Sequence, residues 1–146
     1  MIRTENGEPT LIFSNTCQYA IKACIILANE RKKIEIKEIS EKIDTPTAFT
    51  SKILQQLTRK GIISSVKGKG GGFYLDDEQY ENLTIKDIYD NFQNKDVLDL
   101  CLLGLKKCNG ENPCPVHHLS GEVKAKMITM FQYKIKDLKN LGSVMN

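Results

Sequence analysis

Three cysteines and a histidine crowd into one stretch, CLLGLKKCNGENPCPVH, residues 101–117. Cys101, Cys108 and Cys114 are spaced C-x6-C-x5-C, and His117 follows the third. Converging thiolates and imidazoles bind soft metals and iron–sulfur clusters. Gly104, Asn109, Gly110, Asn112 and Pro113 supply the turns by which such a segment folds back. A closed zinc site accepts the same donors, but zinc motifs bring paired ligands about two to four residues apart. The intervals here are longer, so spacing alone ranks a cluster ahead of zinc.

A second chemistry lies in the charge distribution. From Thr45 to Leu75 there are five basic residues (Lys52, Arg59, Lys60, Lys67 and Lys69) and no acidic ones. From Asp76 to Asp99 there are eight acidic residues against Lys86 and Lys95. A solvated basic face normally carries interspersed acids, so this acid-free run points to a polyanionic partner, nucleic acid above all.

The elements that must position these groups follow from periodicity. Ser14 or Asn15 can cap a helix to about Arg31, with Cys17, Ala20, Ile21, Cys24, Ile25 and Ala28 on one face. Cys17 and Cys24 read as core thiols. Ile36, Ile39 and Ile43 mark a two-turn helix, broken at Asp44-Thr45-Pro46. Pro46 can open a further helix to Arg59, with Phe49, Ile53, Leu54 and Leu57 expected inside. Thr47, Ser51, Lys52, Gln55, Thr58 and Arg59 point the other way. Two short helices joined by a tight turn, the second polar and basic outside, form a helix-turn-helix.

Gly61 caps the second helix, and Ile62–Lys67 and Phe73–Leu75 flank the turn Gly68-Lys69-Gly70-Gly71-Gly72. A hairpin after a helix-turn-helix is a wing, with Lys67 and Lys69 at its tip. No Gly-Lys-Ser/Thr ending follows the glycines, which argues against a nucleotide-phosphate loop. Thr84-Ile-Lys-Asp87 opens a helix through Phe92. From Pro115 a long helix is expected to about Asn140, with a stripe of Leu119, Val123, Met127, Met130, Phe131, Ile135, Leu138 and Leu141. Such a helix needs a partner surface, and the same helix of a second copy is the simplest one.

At 146 residues, 40% apolar and 27% charged, the chain reads as a globular domain with an appendage. No apolar run is long enough to span a bilayer, and MIRTENGEPT lacks the apolar core of a signal peptide. A cytoplasmic protein with no membrane partner is expected. Five cysteines without an export signal argue for ligands or buried thiols over disulfides. No nucleophile–base pair stands out, so an enzyme is not expected.

From about Phe13 to Asn140 the chain resembles the winged-helix regulators typified by the iron–sulfur regulator IscR and the nitric-oxide sensor NsrR. The likeness rests on Tyr19-Ala20, Ile36-x-x-Ile39-Ser-Glu, Ile53-Leu54-x-x-Leu57 and above all SSVKGKGGGFYL, Ser64 to Leu75. The resemblance implies that Cys101, Cys108 and Cys114 are cluster ligands and that His117 is the fourth, to a [2Fe–2S] cluster. The first cysteine interval is six residues here, where the family pattern has five. Some nitric-oxide-sensing relatives take an acidic ligand just before the position of Tyr19; here that residue is Gln18, which favours the IscR kind. His118, Gln18 and Cys17 stay open as alternatives to His117.

The combined expectation is a mainly α fold with a small β-hairpin. A flexible tail spans 1–12, a winged helix-turn-helix domain 13–92, a cluster-binding loop 93–118, and a dimerisation helix and tail 119–146. The function expected is that of a homodimeric regulator of double-stranded DNA controlled by an iron–sulfur cluster, with structural zinc, no metal, or a nitric-oxide or redox sensor as alternatives. A cluster carrier or electron-transfer protein is a remoter one. In the DNA reading Gln55 pairs with adenine edges, Lys52 and Arg59 with guanine or phosphate, and Thr47 and Ser51 with either. Lys67 and Lys69 hold the backbone or minor groove.

Overall fold

The computed structural model describes residues 2–3, 9–10, 12–92, 103, 111 and 113–138. Its centre is α1 (Asn15–Glu30). The Ser14 hydroxyl caps this helix, accepting from the Cys17 N–H at 3.2 Å, and Arg31 ends it in the left-handed conformation at φ 52°. The expected stripe is buried, and so are Ala23, Ile26 and Leu27. A one-sided stripe becomes an almost fully enclosed helix because α1 is packed on several sides. It meets α2 (Ile36–Lys42), α3 (Thr47–Arg59), α5 (Ile85–Phe92) and a 3-10 turn at Ile135–Asp137.

α2 and α3 form the expected helix-turn-helix, with Pro46 at the N-cap of α3. The inner face of α3 differs by one residue from the expectation. Thr50, Ile53, Leu54 and Leu57 are buried, whereas Phe49 is 39% exposed and meets Tyr19 edge-on at 5.6 Å. The helix phase that buries Ile53, Leu54 and Leu57 carries Thr50 inward with them and leaves Phe49 at the margin.

β3 (Ser64–Val66) and β4 (Gly72–Tyr74) pair antiparallel, Ser64 opposite Tyr74 and Val66 opposite Gly72. Ile34 bridges the other edge of β4, exchanging two main-chain hydrogen bonds with Phe73 at 2.9 Å each. That exchange explains the glycine run: a Cβ on Gly72 would lie 2.7 Å from the Ile34 carbonyl oxygen, and one on Gly71 2.1 Å from that of Val66. Only glycine lets these backbones approach so closely. A second pair, β1 (Ile2–Arg3) with β2 (Pro9–Thr10), stands where an unstructured tail was expected. Two-residue strands are too short to carry a periodic signal.

After the wing, α4 (Asp77–Asn82) begins with a capping box: the Asp76 carboxylate accepts from the Gln79 N–H, and the Gln79 side chain accepts from the Asp76 N–H. α6 spans His117–Phe131, shorter at both ends than the expected helix from Pro115 to Asn140. It ends because Phe131 enters the core, stacked on Tyr89 at 4.8 Å and tilted on Phe13 at 6.0 Å. The chain then turns back and pairs with the start of α5. Ile135 N–H donates to the Leu83 carbonyl at 2.8 Å, and Ile85 N–H to that of Tyr133 at 3.1 Å. Phe131 and Ile135 thus share one buried cluster with α1 and α5. Leu119 and Val123, earlier on the same stripe, stay exposed, Leu119 at 69%. Leu141 lies outside the described residues. Among the described residues no helix is long and apolar enough to cross a membrane.

Candidate nucleic-acid interface

The outer face of α3 presents Thr47, Lys52, Gln55 and Arg59 to solvent, as the helical phase requires. Ser51 is half-buried, and its hydroxyl accepts from Gln55 Nε2 at 3.2 Å. That bond orients the Gln55 amide along the helix. Lys67 and Lys69 are exposed at the wing. α3 and the hairpin together wall a groove of about 460 Å³, lined by Gln55, Thr58 and Arg59 from the helix and Lys67, Gly72 and Phe73 from the wing. The sequence-chosen residues of two separate elements therefore share one concave surface. Thr58, which the helical phase also put outside but which was given no DNA contact, lines the groove too; its hydroxyl donates to the Leu54 carbonyl at 2.8 Å.

Among the described residues Lys52, Arg59, Lys67 and Lys69 form no salt bridge, whereas Arg31, Lys32, Lys42, Lys86 and Lys136 each pair with a carboxylate. The acidic residues gather behind the wing instead. Asp76, Glu78 and Asp87 line a separate groove of about 410 Å³ beside Lys60 and Gly61. Basic and acidic side chains thus line two separate grooves.

A model of one family, described as iron-dependent transcriptional regulators, matches residues 13–140. The chain belongs to the Rrf2 family. A relative named as an HTH-type transcriptional regulator from Aquifex aeolicus is 37% identical over 135 residues, covering 90% of this chain and 93% of the relative. Among solved structures, CymR of B. subtilis, the global cysteine regulator, superposes with a TM-score of 0.69 at 16% identity, covering 94% of this chain and all of that one. T. potens IscR does so at 0.63 and 19% identity, covering 87% and 85%. These likenesses bear out the winged-helix fold, and the family makes this Rrf2 protein a DNA-binding regulator of transcription rather than an enzyme.

The cysteine segment is described only in part. Cys101 and Cys108 lie outside the described residues. Cys114 is half-buried, and its carbonyl accepts from the His117 N–H at 3.0 Å, a tight turn leading directly into α6. The His117 carbonyl accepts from the buried Ser120 hydroxyl at 2.8 Å, which holds the first turn of that helix. His117 is half-buried and His118 exposed, their rings 5.7 Å apart. A thiol and an imidazole three residues apart at a helix start are donor types that iron–sulfur clusters and soft metals accept, and among the described residues no third such donor joins them.

Two of the alternative ligands sit in the α1 region, one bonded and one buried. Gln18 Nε2 donates to the Phe13 carbonyl at 3.0 Å. Cys17 is fully buried, and burial pushes its thiol up to about 12. Burial, with Cys17 as a neighbour, drives Cys24 up as well. Both are therefore neutral core thiols, in line with the sequence reading.

Proposed function

We propose that this chain is a homodimeric, sequence-specific regulator whose hold on operator DNA is controlled by an iron–sulfur cluster of the [2Fe–2S] type. The shared groove of α3 and the wing carries the DNA part of the reading. Each α3 enters a major groove, with Gln55 set against adenine edges and Lys52 and Arg59 against guanine or phosphate. Thr47 and Ser51 contribute hydroxyls, and Lys67 and Lys69 grip the backbone. Two half-sites about one helical turn apart follow from a two-fold dimer. The exposed Leu119, Val123 and Ile128 of α6 support its packing on a second copy. Action on chromosomal DNA places the protein in the cytoplasm.

Cys101, Cys108, Cys114 and His117 would hold the cluster. The half-burial of His117 and the engagement of Gln18 and Cys17 support His117 as the fourth donor. When bound, the cluster supplies an iron- and redox-responsive cross-link between the cysteine segment and the start of α6. This chain's own residues supply the rest. Phe131 and Ile135 anchor the far end of α6 in the core shared by α1 and α5. A shift at the start of α6 therefore turns each DNA-binding unit against its partner and changes the spacing of the two α3 helices. Its effect is limited to the difference in DNA affinity between the two arrangements.

Anaerobic purification followed by an absorption spectrum and iron, sulfide and zinc analysis tests this. Iron and sulfide in equal amounts are expected, and Cys108→Ala or Cys114→Ala should abolish both while the fold persists. A colourless protein containing zinc leaves the DNA-binding regulator standing and removes the cluster.

A further inference from the structure

One side chain hydrogen-bonds to both ends of the turn that joins α3 to the hairpin. Gln79 Nε2 donates to the Gly61 carbonyl at 3.0 Å. Its Oε1 accepts from the Ser64 hydroxyl at 2.9 Å and from the Asp76 N–H at 2.9 Å. Gly61 ends α3, Ser64 starts β3, and Asp76 follows β4. A single amide thus links the exit of α3, the first residue of β3 and the α4 cap that follows β4.

The base from which it reaches is held independently. The Arg31 guanidinium lies over the Tyr80 ring at 3.7 Å and pairs with Asp77 at 3.3 Å. Glu81 pairs with Lys136, and the Leu83 carbonyl accepts from Ile135. α4 is therefore tied to α1 on one side and to the C-terminal segment on the other. The wing, by contrast, is two three-residue strands with one rung to Ile34. Between a braced helix and a slight hairpin, the hairpin is the part that yields.

We propose that Gln79 is a positioning residue for DNA binding: its three side-chain hydrogen bonds fix the wing relative to α3, and so fix where Lys67 and Lys69 meet the backbone. Gln79 lies on the acidic side of the hairpin, beside Asp76 and Glu78, and acts without touching DNA. The proposal rests on the reading that the wing lysines contact phosphates.

The test is the salt dependence of binding to random-sequence duplex DNA, measured by fluorescence anisotropy. Each phosphate that the protein ceases to neutralise lowers the slope of log K against log salt by about 0.9. Gln79→Met keeps the side-chain volume and removes all three hydrogen bonds. It should lower the slope by about one or two, as Lys67→Ala/Lys69→Ala should. Adding Gln79→Met to that double lysine variant should change nothing further, because the ammonium groups it would misplace are already removed. A purely structural glutamine would lower the melting temperature but leave the slope of the folded fraction unchanged. Ser64→Ala removes one bond and leaves the capping box of α4 intact, so it serves if Gln79→Met does not fold. An unchanged slope, or an equal decrease in both backgrounds, overturns the proposal. An unchanged slope in the double lysine variant alone refutes the wing reading beneath it, and the proposal falls with it.

Discussion

Thr50 sits on the inner face of the recognition helix at 1% exposure, and its hydroxyl is buried with no hydrogen-bond partner among the described residues. Its main chain is satisfied, the N–H donating to the Pro46 carbonyl at 3.0 Å. Only the side-chain oxygen is unmatched. A buried hydroxyl without a partner costs about 1–3 kcal/mol relative to an apolar group of the same shape. Valine keeps the β-branched outline, and its helix propensity is close to that of threonine. Thr50→Val should therefore stabilise the protein by about 1 kcal/mol, the lower end of that range, because neighbouring groups relax around a lone hydroxyl. In a chain of this length that raises the melting temperature by about 2–4 °C. Thr50→Ser, which keeps the oxygen and deletes the methyl, should move stability the other way by about 1 kcal/mol. Urea unfolding at one fixed protein concentration measures both, since a dimer's stability depends on concentration. DNA affinity should not change in Thr50→Val, because the residue faces away from the groove. A valine variant that is less stable than the parent, at unchanged m-value, refutes the reasoning.

Phe131→Ala should cost about 3–5 kcal/mol in the same assay, because it opens a cavity between Tyr89 and Phe13 and frees the end of α6 from the core. In metal-free protein at pH 8, iodoacetamide should spare Cys17 and Cys24 and label Cys114 first of these three, read by peptide mass mapping; fast labelling of Cys17 would contradict its burial. The Glu81–Lys136 pair should show in the pH profile of stability. Its hydrogen bond with Lys136 holds the Glu81 carboxyl below its ordinary range, so that stabilisation is present above about pH 4.3 and lost as pH falls through the lower folded value. The same bond raises Lys136, so its part is present below about pH 10.4 and lost as pH rises through the higher folded value. The stability gap between parent and Lys136→Met should thus be flat at neutral pH and close at both extremes; a gap that persists at pH 2 would count against it.

Much of the exposed basic face of α3 and the wing was legible in the sequence. Helical phase alone puts Lys52, Gln55 and Arg59 outside and Ile53, Leu54 and Leu57 inside, since backbone geometry fixes the angle between residues. The glycine run marks a turn, because no other residue tolerates the approach of Ile34 and Val66. The absence of acids between Thr45 and Leu75 is likewise a property of the chain as written.

What only the tertiary structure decided concerns contacts between distant residues. The apolar rhythm that suggested one helix to Asn140 continues past Phe131, yet the helix stops there. The gain from burying Phe131 and Ile135 beside Tyr89, with main-chain pairing to Leu83 and Ile85, outweighs another turn of helix hydrogen bonds. Local pattern cannot register that competition, because both outcomes satisfy it. The exchange of Phe49 for Thr50 is different: the phase of Ile53, Leu54 and Leu57 already places Thr50 nearer the middle of the inner face than Phe49. Nothing in the sequence singled out Gln79. Its reach to Gly61 and Ser64 exists because the fold returns α4 against the turn that leaves α3.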